Sequence, residues 1–472
     1  ASTGALSDFN HNSAVDANEG ISVVQVAGTS SSAAFRLNGG YLAAGPFQYG
    51  LYAFEPGAAQ ASQRVVAGST AGNQYWDYRL ANIYVCQTNC IPPTPANPPP
   101  SPAPGAPAPA PLPPADPSLA ALPEPPTAAL AALDGCVVDG IDNCAPGRRA
   151  VTPQVPAYIA APTALAGYAY QVLDNLHKRL GEIRHEGTMD DGLGGEAFAR
   201  YIGGDYRYST DRSFKQYGYD FDQHTNALQV GANAFDIDTD KSTMRGGVAF
   251  THGTTRVEPH AVDGDSRTKY YSNSIAMYLT WQHANGFYID GVVSGDRHQG
   301  DIDVARATDI AHIRAVGWTA SIETGYPWRF DNGMELEPQL QLSRQHLAMN
   351  DLTDRDGASV RYDDYDQNIG RLGVRLTRTW KGDNDRQSTP YLRLNYIQGW
   401  GGRPHVTVGN DAFGISQEFT GGSYGRAVEL GLGGTMTFGN HISLYGEGDY
   451  QKDLGSAGTR GWGINLGARW AF

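Results

Sequence analysis

The chain has 472 residues, enough for more than one domain, and sets 49 acidic against 35 basic side chains for a formal net charge of −14. That balance, uninterrupted by any basic tract, argues against nucleic acid as a partner, and no apolar run is long enough for a transmembrane helix. A membrane is not thereby excluded: 58 glycines, 26 tyrosines and 8 tryptophans with a mean hydropathy of −0.40 suit a transmembrane β-barrel, whose apolar residues hide at alternate positions. An ordinary secreted β-protein fits the same numbers. The first residue is Ala1, which reads as a fragment or processed product whose secretory signal would lie upstream.

Residues 1–90 are poor in charge and rich in Gly, Ala and Ser, with short β-like runs at 21–26 (ISVVQV), 33–37 (AAFRL), 49–54 (YGLYAF) and 75–85 (YWDYRLANIYV). They read as a compact β unit or the last rungs of something longer. Residues 91–160 form a linker, because most of the 28 prolines fall between Pro92 and Pro126, interleaved with alanine. Such a segment favours extended polyproline II and builds no core. A docking motif for a proline-binding module is the sharper reading and the weaker one outside the cytoplasm. Four cysteines flank the tract as close pairs, Cys86/Cys90 and Cys136/Cys144. Small loops of this kind suit disulfides in an oxidising compartment, with the pairing left open; a zinc site would more typically show C-x2-C knuckles.

One amphipathic helix follows, within 161–185 and roughly Pro162–Arg184. In YQVLDNLHKRLGEIRH (170–185), Val172, Leu176, Leu180 and Ile183 recur at spacings of three and four, while Asp174, Lys178, Arg179, Glu182 and Arg184 occupy the other face.

Residues 186–472 alternate. Val428, Leu430, Leu432, Met436 and Phe438 share one face and Glu429, Gly431, Gly433, Thr435 and Thr437 the other; Met334 to Leu342 and Leu372 to Leu376 repeat the pattern. Twelve strands can be drawn, near 195–205, 221–235, 242–252, 270–283, 286–297, 313–329, 333–346, 366–380, 388–400, 424–438, 441–451 and 461–472. The connections after even strands are short (DIDTDK, HAN, GN), whereas most after odd strands are long, as in 253–269, 298–312, 347–365 and 401–423. A β-sandwich has no reason to sort its loops by parity; an outer-membrane barrel does, with short periplasmic turns and long extracellular loops. Trp281, Phe287, Trp318, Tyr326, Trp328, Trp380, Trp400, Trp470 and Phe472 near strand ends fit its interface girdles. The expected fold is all-β: a 12-stranded antiparallel transmembrane barrel with an internal α-helix. A lumen of that width needs an occupant, and the helix can supply it, with Lys178, Arg179 and Arg184 meeting inward Asp and Glu. A helix packed on the periplasmic rim is the alternative.

Enzyme motifs are sparse. GGSYG (421–425) matches G-x-S-x-G with Ser423 as nucleophile, but lies where a loop enters a strand and not at a strand-to-helix turn. A barrel hydrolase with a rim site, using Ser423 and a base from His252, His260, His298 or His312, is the alternative function. His177 and His185 read as lumen or linker contacts. DIDTD (236–240) and NDLTDRDG (350–357) lack the full calcium-loop spacing. No catalytic residue, metal ligand or cofactor is assigned.

The chain resembles the C-terminal portion of a monomeric (type Va) autotransporter, closest to the pertactin group. The residues that carry this are LHKRLGEIR (176–184), SIETGYPWRF (321–330), ELEPQLQL (335–342), GRLGVRLTRTW (370–380), AVELGLGG (427–434), SLYGEGDYQK (443–452) and WGINLGARWAF (462–472). FRLNGGYLAAGPFQYGLYAFE (35–55) resembles the end of a passenger, so the resemblance makes 1–90 a β-helix-like, autochaperone-like passenger remnant. It implies a monomeric outer-membrane translocator that exports its own passenger, an adhesin or virulence factor, to the cell surface. It also implies outer-membrane lipid and lipopolysaccharide around the barrel, with periplasmic chaperones and the barrel-assembly machinery as partners. That machinery would read Leu466, Ala468, Trp470 and Phe472. The serine protease autotransporters of enterobacteria cut themselves in the pore at an Asn-Asn pair before Leu-x-Lys-Arg. The matching pair here is Asp174 and Asn175, ahead of Leu176, Lys178, Arg179 and Leu180. Asp174 removes the amide that such chemistry needs, so an intact chain, or cutting upstream by another activity, is expected.

Overall fold

The computed structural model describes residues 15, 19–58, 75–85, 147–182, 195–382, 386–412, 414–439 and 441–471. Cys86, Cys90, Cys136, Cys144, the proline-rich tract, Arg184, His185 and Phe472 lie outside the described residues. The chain divides into two compact units, Ala1–Thr152 and Pro153–Phe472.

In the first unit β1 (Ile21–Val26), β2 (Leu42–Ala44), β3 (Phe47–Phe54) and β4 (Trp76–Asn82) form a sheet in the order β1-β4-β3-β2. Every pairing in it is antiparallel, so no parallel rung occurs among the described residues. β5 (Tyr84–Val85) pairs with β6 (Arg148–Arg149). The stretch 33–37, expected as a strand, is instead turn: Ala34 N–H donates to Ser31, and the Phe35 ring packs edge-on against Tyr78 at 4.8 Å. That contact uses the aromatic residue without any ladder.

The second unit opens with two helices, α1 (Val155–Leu173) and α2 (Leu176–Leu180). The expected single helix from Pro162 to Arg184 is thus corrected at its start and interrupted at Asp174, and residues 147–160, assigned to the linker, carry β6 and the first helical turn. Prolines misled the sequence reading. Pro156 sits in the first turn of α1, where a missing N–H is an orphan anyway, and Pro162 is accommodated inside the helix.

The strands then follow. β7 (Glu196–Ser209), β8 (Phe221–Thr239), β9 (Ser242–Pro259), β10 (Ser266–His283), β11 (Tyr288–Val304) and β12 (Ala307–Gly325) come first, with the short flap β13 (Trp328–Arg329). Next are β14 (Met334–Met349), the loop strands β15 (Leu352–Thr353) and β16 (Ser359–Tyr362), β17 (Tyr365–Arg378) and the flap β18 (Trp380–Lys381). β19 (Arg386–Gly401), the loop strands β20 (His405–Asn410) and β21 (Ile415–Thr420), β22 (Arg426–Phe438), β23 (Ile442–Asp453) and β24 (Gly458–Ala471) complete the chain. β12 pairs with β14, and β24 returns to β7 from Gly458↔Ser209 to Ala471↔Glu196. The result is a closed antiparallel barrel of twelve strands. Closure leaves no unpaired ladder edge, the condition for crossing lipid with strands.

Alternation sorts the wall. On β14 Glu335, Glu337, Gln339 and Gln341 are buried toward the lumen, while Leu340 and Leu342 are exposed outward. β7 starts and β24 ends at one rim, where 240–241, 284–287 and 439–441 connect strands; 210–220, 350–364 and 402–425 lie at the other. The expected long loops at 253–269 and 298–312 are largely strand. β8 and β12 reach 19 residues, about 60 Å if extended, well beyond an apolar band about 25 Å tall. Hairpins therefore continue above the membrane, and β15-β16-β20-β21 form a small sheet there.

Candidate functional site

The candidate site is the filled lumen. α1 is Ala-rich and buried almost all round, as a helix inside a narrow tube must be. Its entrance lies among the long loops: Gln154 Nε2 donates to Asp354 and Asp356 at 3.1 Å each, and the Tyr158 hydroxyl donates to Asp354 at 3.0 Å. Burial pushes the Asp354 carboxyl up, and the hydrogen bonds from Gln154, Ala358 and Tyr158 oppose that shift. Beside this entrance Arg403 forms a two-pronged pair with Asp211 at 2.8 and 2.6 Å, and the Ser423 hydroxyl donates to the same carboxylate at 2.9 Å. Arg403 holds Asp211 far below the usual carboxylate range.

Farther in, the barrel grips α1 by its backbone. Gln223 Nε2 donates to the Ala164 carbonyl at 3.1 Å, Gln345 Nε2 to Ala166 at 3.2 Å, and Arg200 Nη2 to Val172 at 2.6 Å.

The helix stops at Asp174, whose φ of 52° and ψ of −141° lie outside the helical region. A side chain at positive φ costs about 1–3 kcal/mol and persists only where its surroundings over-determine it. Here Gln341 Nε2 donates to the Asp174 carbonyl at 2.8 Å, and Asn175 caps α2 by accepting from Lys178 N–H at 3.1 Å. Leu176 N–H donates to Glu323 at 3.2 Å.

α2 is held through charge. Lys178 Nζ donates to Asp449 at 2.8 Å and lies 3.3 Å from Asp174 and 3.5 Å from Glu447. Arg179 donates to Asp290 at 2.7 Å and sits over the Tyr278 ring. His177 Nε2 is 3.0 Å from Glu337. The exchange also runs the other way: Arg375 of the wall donates to Glu182 of the plug at 2.9 Å, and Arg469 Nη2 donates to the Glu182 carbonyl at 3.2 Å. Gly181 is required twice over, by its φ of +73° and because an added Cβ would lie 3.0 Å from the Tyr445 ring. The threaded segment therefore runs from the long-loop rim to the rim where β24 ends.

Of the residues singled out from sequence, Lys178 and Arg179 meet inward acids, and Leu176 and Leu180 pack with Leu173, Phe198, Tyr278 and Tyr288. Leu466, Ala468 and Trp470 share the exposed outward face of β24. Ser423 bonds Asp211, whereas His252 bonds Asn273, His260 bonds Asp222 and Arg207, His298 bonds Ser272 and His312 bonds Asp301. The hydrolase arrangement is therefore not assembled. DIDTD ends β8, where Asp236 pairs with Arg245, and no cluster of metal-binding side chains occurs among the described residues. Sequence reasoning missed Asp290, Glu323, Glu337, Asp449, Arg375 and Arg469 as individual partners. The available signal was their parity: each is a charged residue at an inward position of a strand.

Residues 197–449 match the family model described as the autotransporter beta-domain. The chain is 27% identical over 307 residues to a pertactin autotransporter of Bordetella bronchiseptica, covering 64% of this chain and 31% of that protein. It is 26% identical over 253 residues to the adhesin BmaC autotransporter of Brucella suis, covering 52% and 7%. The chain thus spans less than a third of the length of these relatives. Among solved structures, the beta domain of the Bordetella autotransporter BrkA aligns with a TM-score of 0.45 at 19% identity, covering 58% of this chain and 98% of that one.

Proposed function

The chain belongs to the autotransporter beta-domain family, its barrel an outer-membrane translocator domain, and we propose that the threaded segment is the tail of a passenger that this barrel delivers to the cell surface. The observation that carries this reading is the threading itself: Val155–Glu182 crosses the lumen with its N-terminal end among the long loops. In this reading the helix is the part of the transported chain that stays behind and seals the pore. The passenger is an adhesin or virulence factor, as the name of one relative suggests for that relative.

The test is an epitope placed ahead of Pro153 and probed with antibody and protease on intact cells. Surface exposure is expected, with retention on deleting 155–182; a tag that stays periplasmic in the parent chain would sink the proposal. Leu466, Ala468 and Trp470 are proposed as the part of the last strand that the assembly machinery reads, with chaperones acting earlier. A barrel with no open edge fits a monomer.

Scission between Asp174 and Asn175 is the second reading, favoured by the strained Asp174 backbone. We assign the intact chain instead. The Asp174 carboxylate accepts from Asn175 Nδ2 at 2.9 Å and faces Lys178 at 3.3 Å, so it is held away from attack on its own carbonyl. Intact-mass analysis of the heat-modifiable species decides: a fragment beginning at Asn175 would overturn the assignment.

A further inference from the structure

The lipid-facing wall is not uniformly filled. β10, β11, β12 and β14 enclose an outward groove of about 740 Å³, lined by Met277, Leu279, Val293, Ile322 and Leu342, with Arg344 and Trp400 at its margin. Two glycines create it. On β11 the outward positions run Ile289, Gly291, Val293, Gly295, Arg297. A Cβ at Gly295 would meet nothing within 4 Å, and one at Gly291 only the Leu279 carbonyl at 3.9 Å. The missing side chains leave a furrow along one strand between ridges such as Met277, which is 63% exposed.

The furrow has a charged end. Arg297 follows Gly295 on the same face toward the long-loop rim. Arg314 on β12 is its diagonal neighbour, since Arg297 pairs with Val316 and Arg314 lies two residues farther along. Both are exposed, and neither makes a side-chain hydrogen bond or ion pair among the described residues. Arg344, by contrast, is engaged with Asp366 and Asn368 at 3.2 and 3.3 Å. Two unpaired guanidinium groups at the upper end of an apolar furrow suit an anion carried on an acyl chain.

We propose that this groove is a specific site for the phosphorylated, multiply acylated glycolipid of the outer leaflet, one acyl chain lying over Gly291 and Gly295 and a phosphate on Arg297 and Arg314. The arginines choose among occupants. A second copy of this chain would bring two more positive charges against them, and the position toward the long-loop rim selects the outer-leaflet lipid over the inner-leaflet phospholipid. The glycines choose the depth, because any larger residue there would fill the acyl furrow.

Native mass spectrometry of the full chain in mild detergent, titrated with purified diphosphoryl lipid A, tests the site. Phosphatidylglycerol and dephosphorylated lipid A serve as competitors, and heat-modifiability reports folding. One lipid A should be retained. The double variant Arg297→Gln/Arg314→Gln should lower retention roughly tenfold or more, on about 1 kcal/mol per basic residue near an anionic surface. Gly295→Leu should do the same by filling the furrow, and Leu432→Ala, on another part of the wall, should change nothing. Equal retention in the double variant, equal retention of phosphatidylglycerol, or a dimer in place of a lipid adduct would each overturn the proposal. Should Gly295→Leu fail to fold, the arginine pair decides alone.

Discussion

The two halves of the threaded segment are held by different physics. Around α1 the wall's glutamines donate to main-chain carbonyls of Ala164 and Ala166, contacts that any polypeptide could offer. Around α2 the wall presents Asp449, Asp290, Glu337 and Arg375 to four particular side chains. The first half grips a chain and the second recognises this chain. A conduit for a long, varied sequence needs the former, and a plug that stops at one register needs the latter. A charge pair out of register would leave buried charges unpaired, which is costly.

The largest effect should come from breaking recognition. Lys178→Met leaves Asp449, Glu447 and Asp174 facing one another without a cation, and Arg375→Met strands Glu182. Each should destabilise the plugged state by about 3–5 kcal/mol. The expected readouts are a lower heat-modifiability transition and a raised single-channel conductance in planar bilayers. Unchanged conductance in both variants would remove the distinction between the halves. Gly181→Ala should cost about 1–3 kcal/mol, since it adds strain at positive φ beside Tyr445; thermal unfolding measures it.

Gln345→Leu probes the other half. Losing donation to the Ala166 carbonyl should cost only about 1 kcal/mol and leave the pore sealed; an open pore would show that α1 is also recognised residue by residue.

The smallest effects lie at the mouth, where two acids should respond to pH in opposite senses. Asp211 is depressed by Arg403. Its contribution is therefore present above the unfolded carboxylate range near 3.9 and is lost only as pH falls through the lower folded value. Asp354 is raised by burial, so its contribution is full below the unfolded value and declines as pH rises through the folded one. Limited proteolysis from pH 7 to pH 4 should leave the Arg403 loop protected and Asp354→Asn indifferent to the change.

Much of this architecture was legible in the chain. Period-two alternation marked all twelve strands, and sorting connections by parity separated the two rims even though the 253–269 and 298–312 stretches proved to be extended hairpins. The amphipathic stretch around Leu176 and Leu180 was equally visible, because a helix or a strand writes its buried face into local spacing. What spacing could not supply was the helix start at Val155, hidden by prolines that the first turn tolerates, and the break at Asp174, which the periodicity of Val172, Leu176, Leu180 and Ile183 runs straight through.

Only the tertiary structure decided the partners. Lys178 and Asp449 are hundreds of residues apart, and their meeting depends on strand register, closure of β24 on β7 and the depth to which the plug descends. The sequence by itself determined which residues face the lumen and which face lipid, since that follows from the alternation of side chains along each strand. Closing the ring determined who faces whom across the lumen, because only a closed barrel brings distant inward positions within hydrogen-bonding distance of one short segment.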